Sequence, residues 1–156
     1  MRTTYRVLAY AVAVLVAVQA AAIAWAVAGM GRWIDGGGVA DASTMESSTP
    51  PFSEALGFMV HGMNGMMVIP AVGLLLLIAS FLAHVPGGVR WAALTAALIA
   101  LQVVLGFSLH AIPTLGFLHG VNALLVFGAA LAAGRRARAQ EAAPVHTARA
   151  AESVPV

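Results

Sequence analysis

Four apolar segments long enough to cross a lipid bilayer constrain this chain more than any other feature of its sequence. In the first segment, from Val7 to Met30, the only amide or charged side chain is Gln19. As a helix it would be about 36 Å long at about 1.5 Å per residue. The composition is 61% hydrophobic and 9% charged, whereas soluble domains carry roughly 25% charge. We therefore predict an all-α integral membrane protein with helices at about residues 7–30, 55–83, 91–109 and 114–134.

The first segment has a second possible interpretation, as a cleaved signal peptide. Arg2 and Arg6 precede it, and Ala26-Val27-Ala28 has the small residues of a cleavage site. However, the hydrophobic region of a signal peptide is only roughly 7 to 15 residues long. The length of the segment therefore favours a retained transmembrane helix.

The connections are marked by glycine and proline. Residues 31–54 contain Gly36-Gly37-Gly38 and Pro50-Pro51 and read as a loop. Pro70 predicts a kink within the second helix. We expect one transmembrane domain over residues 1–137. Residues 138–156 are too poor in large apolar side chains to pack, and we predict a disordered cytoplasmic tail there.

The positive charges indicate the orientation in the membrane. All the basic residues are arginines, and only Arg32 lies in the 31–54 loop. The others flank helix ends on one side or lie in the tail: Arg2, Arg6, Arg90, Arg135, Arg136, Arg138 and Arg149. Because positive residues are enriched on the cytoplasmic side, we expect a multi-pass protein of the cell membrane with both termini in the cytoplasm. This placement explains the net charge of +2 without a nucleic-acid partner.

One short sequence motif, called the repeated phrase below, occurs twice within the apolar segments. Residues 56–64 read LGFMVHGMN and residues 115–122 read LGFLHGVN, so both contain LGF followed by His-Gly-x-Asn. Gln19 and Gln102 lie at similar positions in the helices that precede them. We therefore predict an up-down-up-down four-helix bundle in which a two-helix unit is repeated about an axis along the membrane normal.

The repeat places two histidines at one depth. His61 and His119 should each lie about 8 to 9 Å below the outer helix ends, at about 1.5 Å per residue. In such a bundle the second and fourth helices are diagonal neighbours, and histidines that face each other across the core can provide both axial ligands of a haem iron. Since the chain has no cysteine, iron–sulfur clusters and cysteine-attached haem are excluded. We expect one b-type haem (iron protoporphyrin), with His61 and His119 as its metal ligands.

Residues near the two histidines suit a haem site. Asn64 and Asn122 each follow their histidine by three residues and share its helical face; they would bind a haem propionate, a carbonyl group or the second imidazole nitrogen. His110 lies on the same side and is a further candidate contact. Glycines would leave room beside the ring, and the candidates are Gly57, Gly62, Gly65, Gly116 and Gly120. No catalytic residue is predicted.

The layout of His61, Gln102, His119 and Asn122 resembles one four-helix half of the haem A synthase superfamily. It also resembles small uncharacterised four-helix membrane proteins with the same His-x-x-Asn pattern. The resemblance covers about residues 5–136 and implies histidines on the second and fourth helices, near the outer face. The full enzymes join two such bundles and carry a carboxylate one turn before the second-helix histidine, where this chain has Gly57 and Phe58. The resemblance therefore implies haem binding more than catalysis.

Three hypotheses of function follow. The first is a haem-binding membrane protein that transfers single electrons or serves a respiratory or haem-handling complex, with a redox protein or a quinone as partner. The second is a cofactor-free structural or accessory subunit in which the His and Asn side chains hydrogen-bond between helices. The third is an oxidoreductase acting on haem or quinone, as a homodimer that recreates a two-bundle assembly.

Overall fold

The computed structural model describes residues 1–47 and 49–142, and every regular element in these ranges is helical. Helix α1 spans Arg2–Asp35, and the short α2 spans Ala42–Glu46. A 3-10 turn (Ser53–Ala55), α3 (Leu56–Met63), a π-turn (Asn64–Val68) and α4 (Ile69–Ala83) follow one another without a break. Helices α5 and α6 span Gly88–Ser108 and Leu115–Ala142.

Four of these helical stretches, within the described residues, are long and apolar enough to cross a membrane. They are α1, the continuous stretch Ser53–Ala83, α5, and α6 as far as Ala139. They correspond to the four predicted segments. Most extend beyond the predicted ends, because hydropathy marks only the apolar part of a helix, whereas the helical backbone continues into polar positions with good helix propensity.

The end of α6 differs from the prediction. Residues 138–142 were predicted to begin a disordered tail, but they continue the helix to Ala142. Arg, Ala, Gln and Glu occupy these positions, and all four have high helix propensity. The remainder of the predicted tail, residues 143–156, lies outside the described residues.

The spacing of the backbone hydrogen bonds in the second span changes next to Pro70, where the sequence predicts a kink. Pro70 has no N–H to donate to the carbonyl of Met66, four residues earlier. Just before it, the N–H of Ile69 bonds to the carbonyl of Asn64, which is the longer i to i−5 spacing of a π-turn. The π-turn thus lies between the regular α-helical hydrogen-bond ladders of α3 and α4 and includes Met66.

Packing between the helices forms a closed ring. Helix α1 packs against α3, α4 and α6, and α5 packs against α4 and α6. The span formed by α3 and α4 therefore lies across the bundle from α6. Two further contacts join parts of the bundle: the hydroxyl of Tyr5 in α1 donates to the carbonyl of Gly88 at the start of α5 at 3.0 Å, and Arg32 pairs with Glu54 at the other end of the bundle.

Small side chains fill the core, and large apolar side chains cover the outside. Ala9, Ala92, Ala130 and Ala133 are completely buried, whereas Phe117 is 76% exposed. Other large exposed apolar residues include Leu124, Phe107, Phe81 and Val104. This distribution suits a bilayer, where close packing of small residues holds helices together and lipid covers the large apolar groups. A water-soluble bundle would bury these large side chains.

Gly57 provides a test of this close packing. A β-carbon at Gly57 would clash with the carbonyl oxygen of Ala22 and would lie 2.9 Å from the Cβ of Ala26. At Gly116, the matching position in the second phrase, the nearest atom would be the Cδ2 of Leu109 at 3.7 Å, an ordinary contact. We expect Gly57→Ala to reduce the free energy of unfolding by about 1 to 3 kcal/mol, because the backbone of α1 must shift.

The measurement is unfolding by sodium dodecyl sulfate in mixed micelles, with Gly116→Ala as the matched control. The control should change the free energy by less than about 0.5 kcal/mol. Equal effects of the two substitutions would contradict the close approach of α1 and α3.

Candidate functional site

His61 and His119 meet in the interior of the bundle. Their ring centres are 6.2 Å apart, and the ring planes are inclined by 51°. His61 belongs to α3 and His119 to α6, which lie across the bundle from each other. The structure therefore brings together the two histidines that the repeated phrase singles out, and both are half-buried.

A network of hydrogen bonds joins α1 to the span that carries His61. The side-chain amide of Gln19 donates to the carbonyl of His61 at 2.8 Å. The Nδ2 of Asn64 donates to the Oε1 of Gln19 at 3.0 Å and to the carbonyl of Leu15 at 3.2 Å. Asn64 is only 8% exposed. A buried amide whose hydrogen bonds are formed within the protein avoids the cost of an unpaired polar group in an apolar environment.

A second network joins α5 to α6 around His119. The side-chain amide of Gln102 donates to the carbonyl of His119 at 3.0 Å. The Nδ2 of Asn122 donates to the Oε1 of Gln102 at 2.7 Å and to the carbonyl of Leu98 at 2.9 Å. These bonds join the same atoms in the same order as those around His61. The carbonyl acceptor also lies four residues before the glutamine in both cases, which is one helical turn.

The two histidines differ in the environment of their Nδ1 atoms. The Nδ1 of His61 lies 3.2 Å from the backbone carbonyl of Gln19. Since a carbonyl can only accept, Nδ1 carries the proton and Nε2 has a free lone pair in the neutral ring. The Nδ1 of His119 is buried and has no hydrogen-bond partner among the described residues, and the same is true of the Oδ1 of Asn122.

A cavity of about 320 Å³ lies between the two histidines and the helices around them. Its volume is at the lower end of the range for small-molecule sites, roughly 300 to 1,000 Å³. Its wall is mostly apolar, and its polar groups come from the two networks. The lining residues are Gln19, Ile23, His61, Gly62, Gly65, Met66, Gln102, Val103, Gly106, Phe107, Leu109 and His119.

The predicted glycines fall into two groups. Gly62 and Gly65 line the cavity, and a β-carbon at Gly62 would meet no atom within 4 Å. Gly57, Gly116 and Gly120 do not line it; Gly57 instead allows α1 and α3 to approach closely. The prediction that Gly57 clears space beside a bound ring is therefore replaced by a role in helix packing.

The predictions for the two asparagines and His110 can be compared with the structure, and one further residue, Gly106, was not predicted. Of the three partners considered for Asn64 and Asn122, the carbonyl group is the one observed, in both networks. His110 is exposed and does not line the cavity. Gly106 was not predicted as a site residue, yet it lines the cavity, and a β-carbon there would lie 3.4 Å from the Cε1 of His119. Its position one turn after Gln102 is the signal that could have identified it.

Within the described ranges, the structure has no group of three or more His, Cys, Asp or Glu side chains that could hold a free metal ion. A porphyrin supplies four nitrogen ligands itself, so a haem iron needs only axial ligands from the protein. Two imidazoles are the donor set that the cavity offers.

Comparison of the chain with family models, with curated proteins and with solved structures finds no match. The resemblance to one half of the haem A synthase superfamily accordingly rests on the histidine, glutamine and asparagine pattern alone.

A double-mutant cycle tests whether each network acts as a unit. We expect Gln19→Leu and Asn64→Leu to be coupled by about 0.6 kcal/mol, the mean measured for hydrogen bonds between membrane helices, and by no more than the measured maximum of about 1.7 kcal/mol. Gln19→Leu combined with Asn122→Leu is the control, because these residues belong to different networks and should be additive within about 0.3 to 0.5 kcal/mol. Unfolding free energies in mixed micelles give both values, and additivity of the Gln19 and Asn64 variants would refute a shared network.

Proposed function

We propose that this chain is a membrane protein that binds one b-type haem between His61 and His119 and transfers single electrons. The observation that carries the proposal is the 6.2 Å separation of the two imidazole centres across a cavity. The spacing of the rings, the environment of the His61 nitrogens and the lining of the cavity each support it.

The spacing of the rings suits a single metal ion between them. A histidine nitrogen binds a metal ion at about 2 Å, so two imidazoles on opposite sides of one ion have ring centres about 6 Å apart. Aromatic rings in tilted contact also have centres about 4.5 to 7 Å apart. The 6.2 Å separation supports the proposal because it coincides with the spacing of two ligands of one ion, at a shared depth and beside a cavity.

The surrounding groups prepare His61 as a ligand. The carbonyl of Gln19 accepts the proton of Nδ1, which fixes the tautomer and the ring orientation and leaves Nε2 as the donor atom. Such contacts to the second nitrogen are the usual support of a histidine ligand. The Nδ1 of His119 has no such partner among the described residues, so this support for a ligand tautomer comes from His61.

The lining of the cavity suits the apolar ring of a haem. Val103, Phe107 and Leu109 form apolar walls, while Gly62, Gly65 and Gly106 add no side chain to the space. An apolar wall excludes water and favours a hydrophobic ring system over a hydrated ion. Met66 also borders the cavity, and we assign it to packing, because methionine commonly fills irregular gaps.

A haem with two histidine ligands supplies reversible one-electron oxidation and reduction of its iron. With both axial positions filled, no site is open for oxygen or peroxide, so electron transfer is favoured over oxygen activation. The electron donor and acceptor would be a membrane quinone or a redox protein, and a homodimer would place two such sites in one assembly.

We further infer an up-down-up-down topology with a two-helix repeat and with both termini in the cytoplasm of a cell-membrane protein. Support comes from the two hydrogen-bond networks. The bonds that join α1 to the span carrying His61 are the same as the bonds that join α5 to α6. The arginines beside helix ends support the orientation. The haem would then lie nearer the outer face, since both histidines follow the starts of their helices by only one to two turns.

Haem content of the purified protein tests the proposal. The chain is expressed with an adequate supply of haem, and the haem is measured as its pyridine haemochrome. We expect about one haem per chain in the wild type and loss of most of it in His61→Gly and His119→Gly, because each variant lacks one axial nitrogen. Added imidazole should restore binding to both variants. His110→Gly is the matched control and should retain its haem.

Wild-type protein without haem would overturn the proposal and favour the cofactor-free subunit, in which the networks serve helix packing only. Far-UV circular dichroism shows whether the glycine variants remain helical. Loss of haem in a helical variant together with rescue by imidazole distinguishes a missing ligand from a misfolded chain.

A further inference from the structure

A second recess lies at the opposite end of the bundle from the loop that joins α1 to α3. It has a volume of about 460 Å³ and lies between the start of α5 and the end of α6. We call it the arginine groove, and its lining residues are Gly87, Arg90, Trp91, Leu94 and Arg136. None of these residues lines the histidine cavity.

Positive charge dominates the arginine groove. Arg90 and Arg136 are both exposed, and the guanidinium carbon of Arg136 lies over the ring of Trp91 at 5.0 Å. Among the side chains that the structure describes, the carboxylates belong to the other end of the bundle: Asp35, Asp41 and Glu54. No carboxylate whose side chain the structure describes therefore lies beside the two guanidinium groups of the groove.

The groove also has an apolar wall. Trp91 and Leu94 lie on successive turns of α5 and lead from the helix start toward its apolar centre. A tryptophan at this level is typical of the membrane–water boundary. The groove thus combines two cations with an apolar surface that continues into the membrane.

We propose that the arginine groove binds an anionic phospholipid, with the phosphate between Arg90 and Arg136 and an acyl chain along Trp91 and Leu94. Guanidinium groups suit phosphate because they offer several N–H donors in a planar arrangement. The apolar wall favours a lipid over a free phosphate, which would gain nothing from Leu94. Basic recesses between transmembrane helices are known to bind the head groups of anionic lipids.

Retention of lipid by the purified protein tests this site. The protein in detergent is mixed with phosphatidylglycerol or phosphatidylcholine, and native mass spectrometry gives the fraction of chains that keep one lipid. We expect phosphatidylglycerol to be retained preferentially. Arg90→Gln and Arg136→Gln should each weaken its retention about fivefold, and the double variant roughly twentyfold, as expected for the loss of one and two charges near a lipid head group.

Arg135→Gln is the matched control, because Arg135 is exposed on the same helix and does not line the groove. It should leave retention nearly unchanged. An equal loss in this variant would show a diffuse attraction of charge and would overturn the proposal. Displacement of the lipid by millimolar inorganic phosphate would likewise overturn it, since the site would then recognise a free anion.

Fluorescence locates the bound lipid. In a Trp25→Phe, Trp33→Phe background, Trp91 is the only tryptophan, since the chain has three. Phosphatidylglycerol with brominated acyl chains should quench it more strongly than brominated phosphatidylcholine does. Equal quenching by the two lipids would contradict a specific site. Because this experiment requires no haem, its outcome is independent of the proposed function.

Discussion

The structure depends on the rule that a polar group inside an apolar membrane must be satisfied by other protein groups. Four amide side chains, Gln19, Asn64, Gln102 and Asn122, lie within the helices that can cross the membrane. Each glutamine receives a hydrogen bond from an asparagine and donates to the carbonyl of a histidine on the neighbouring helix. These bonds fix the rotation of each helix against its neighbour, which apolar packing alone would leave less well defined.

The position of the histidine rings follows from that rotation. Because a glutamine holds the backbone of each histidine residue, both side chains are directed to the interior at the same level, where their ring centres lie 6.2 Å apart. The π-turn after His61 has no counterpart in α6. It begins at Asn64, so the backbone irregularity lies beyond the histidine and leaves the contacts of the two networks alike.

The sequence predicted the features that depend on composition and spacing. Apolar length located the four spans, and the repeated phrase identified His61 and His119 as neighbours. The sequence did not predict features that depend on the rotation and separation of helices. Gly57 and Gly62 look alike in sequence, yet Gly57 allows two helices to approach closely and Gly62 borders a cavity. The ends of the first and fourth helices were also placed too early, since hydropathy does not register a polar continuation such as residues 138–142.

The two ends of the bundle have different chemistry. One end carries the arginine groove, and the other has the Arg32–Glu54 pair and an aromatic contact between Trp33 and Phe52 with ring centres 5.4 Å apart. The histidine cavity lies nearer the second end. In the proposed orientation, a redox partner would approach the end nearer the histidine cavity. Anionic lipid would bind the arginine groove at the opposite membrane surface.

In the proposed site, His61 and His119 would both hold one haem iron. The most direct test is the optical spectrum of the dithionite-reduced, haem-loaded protein before and after exposure to carbon monoxide. We expect sharp haem bands that carbon monoxide leaves unchanged, because both histidines would occupy the positions at which it binds iron. Immediate formation of a carbon monoxide complex would show an open position on the iron and contradict binding by both histidines.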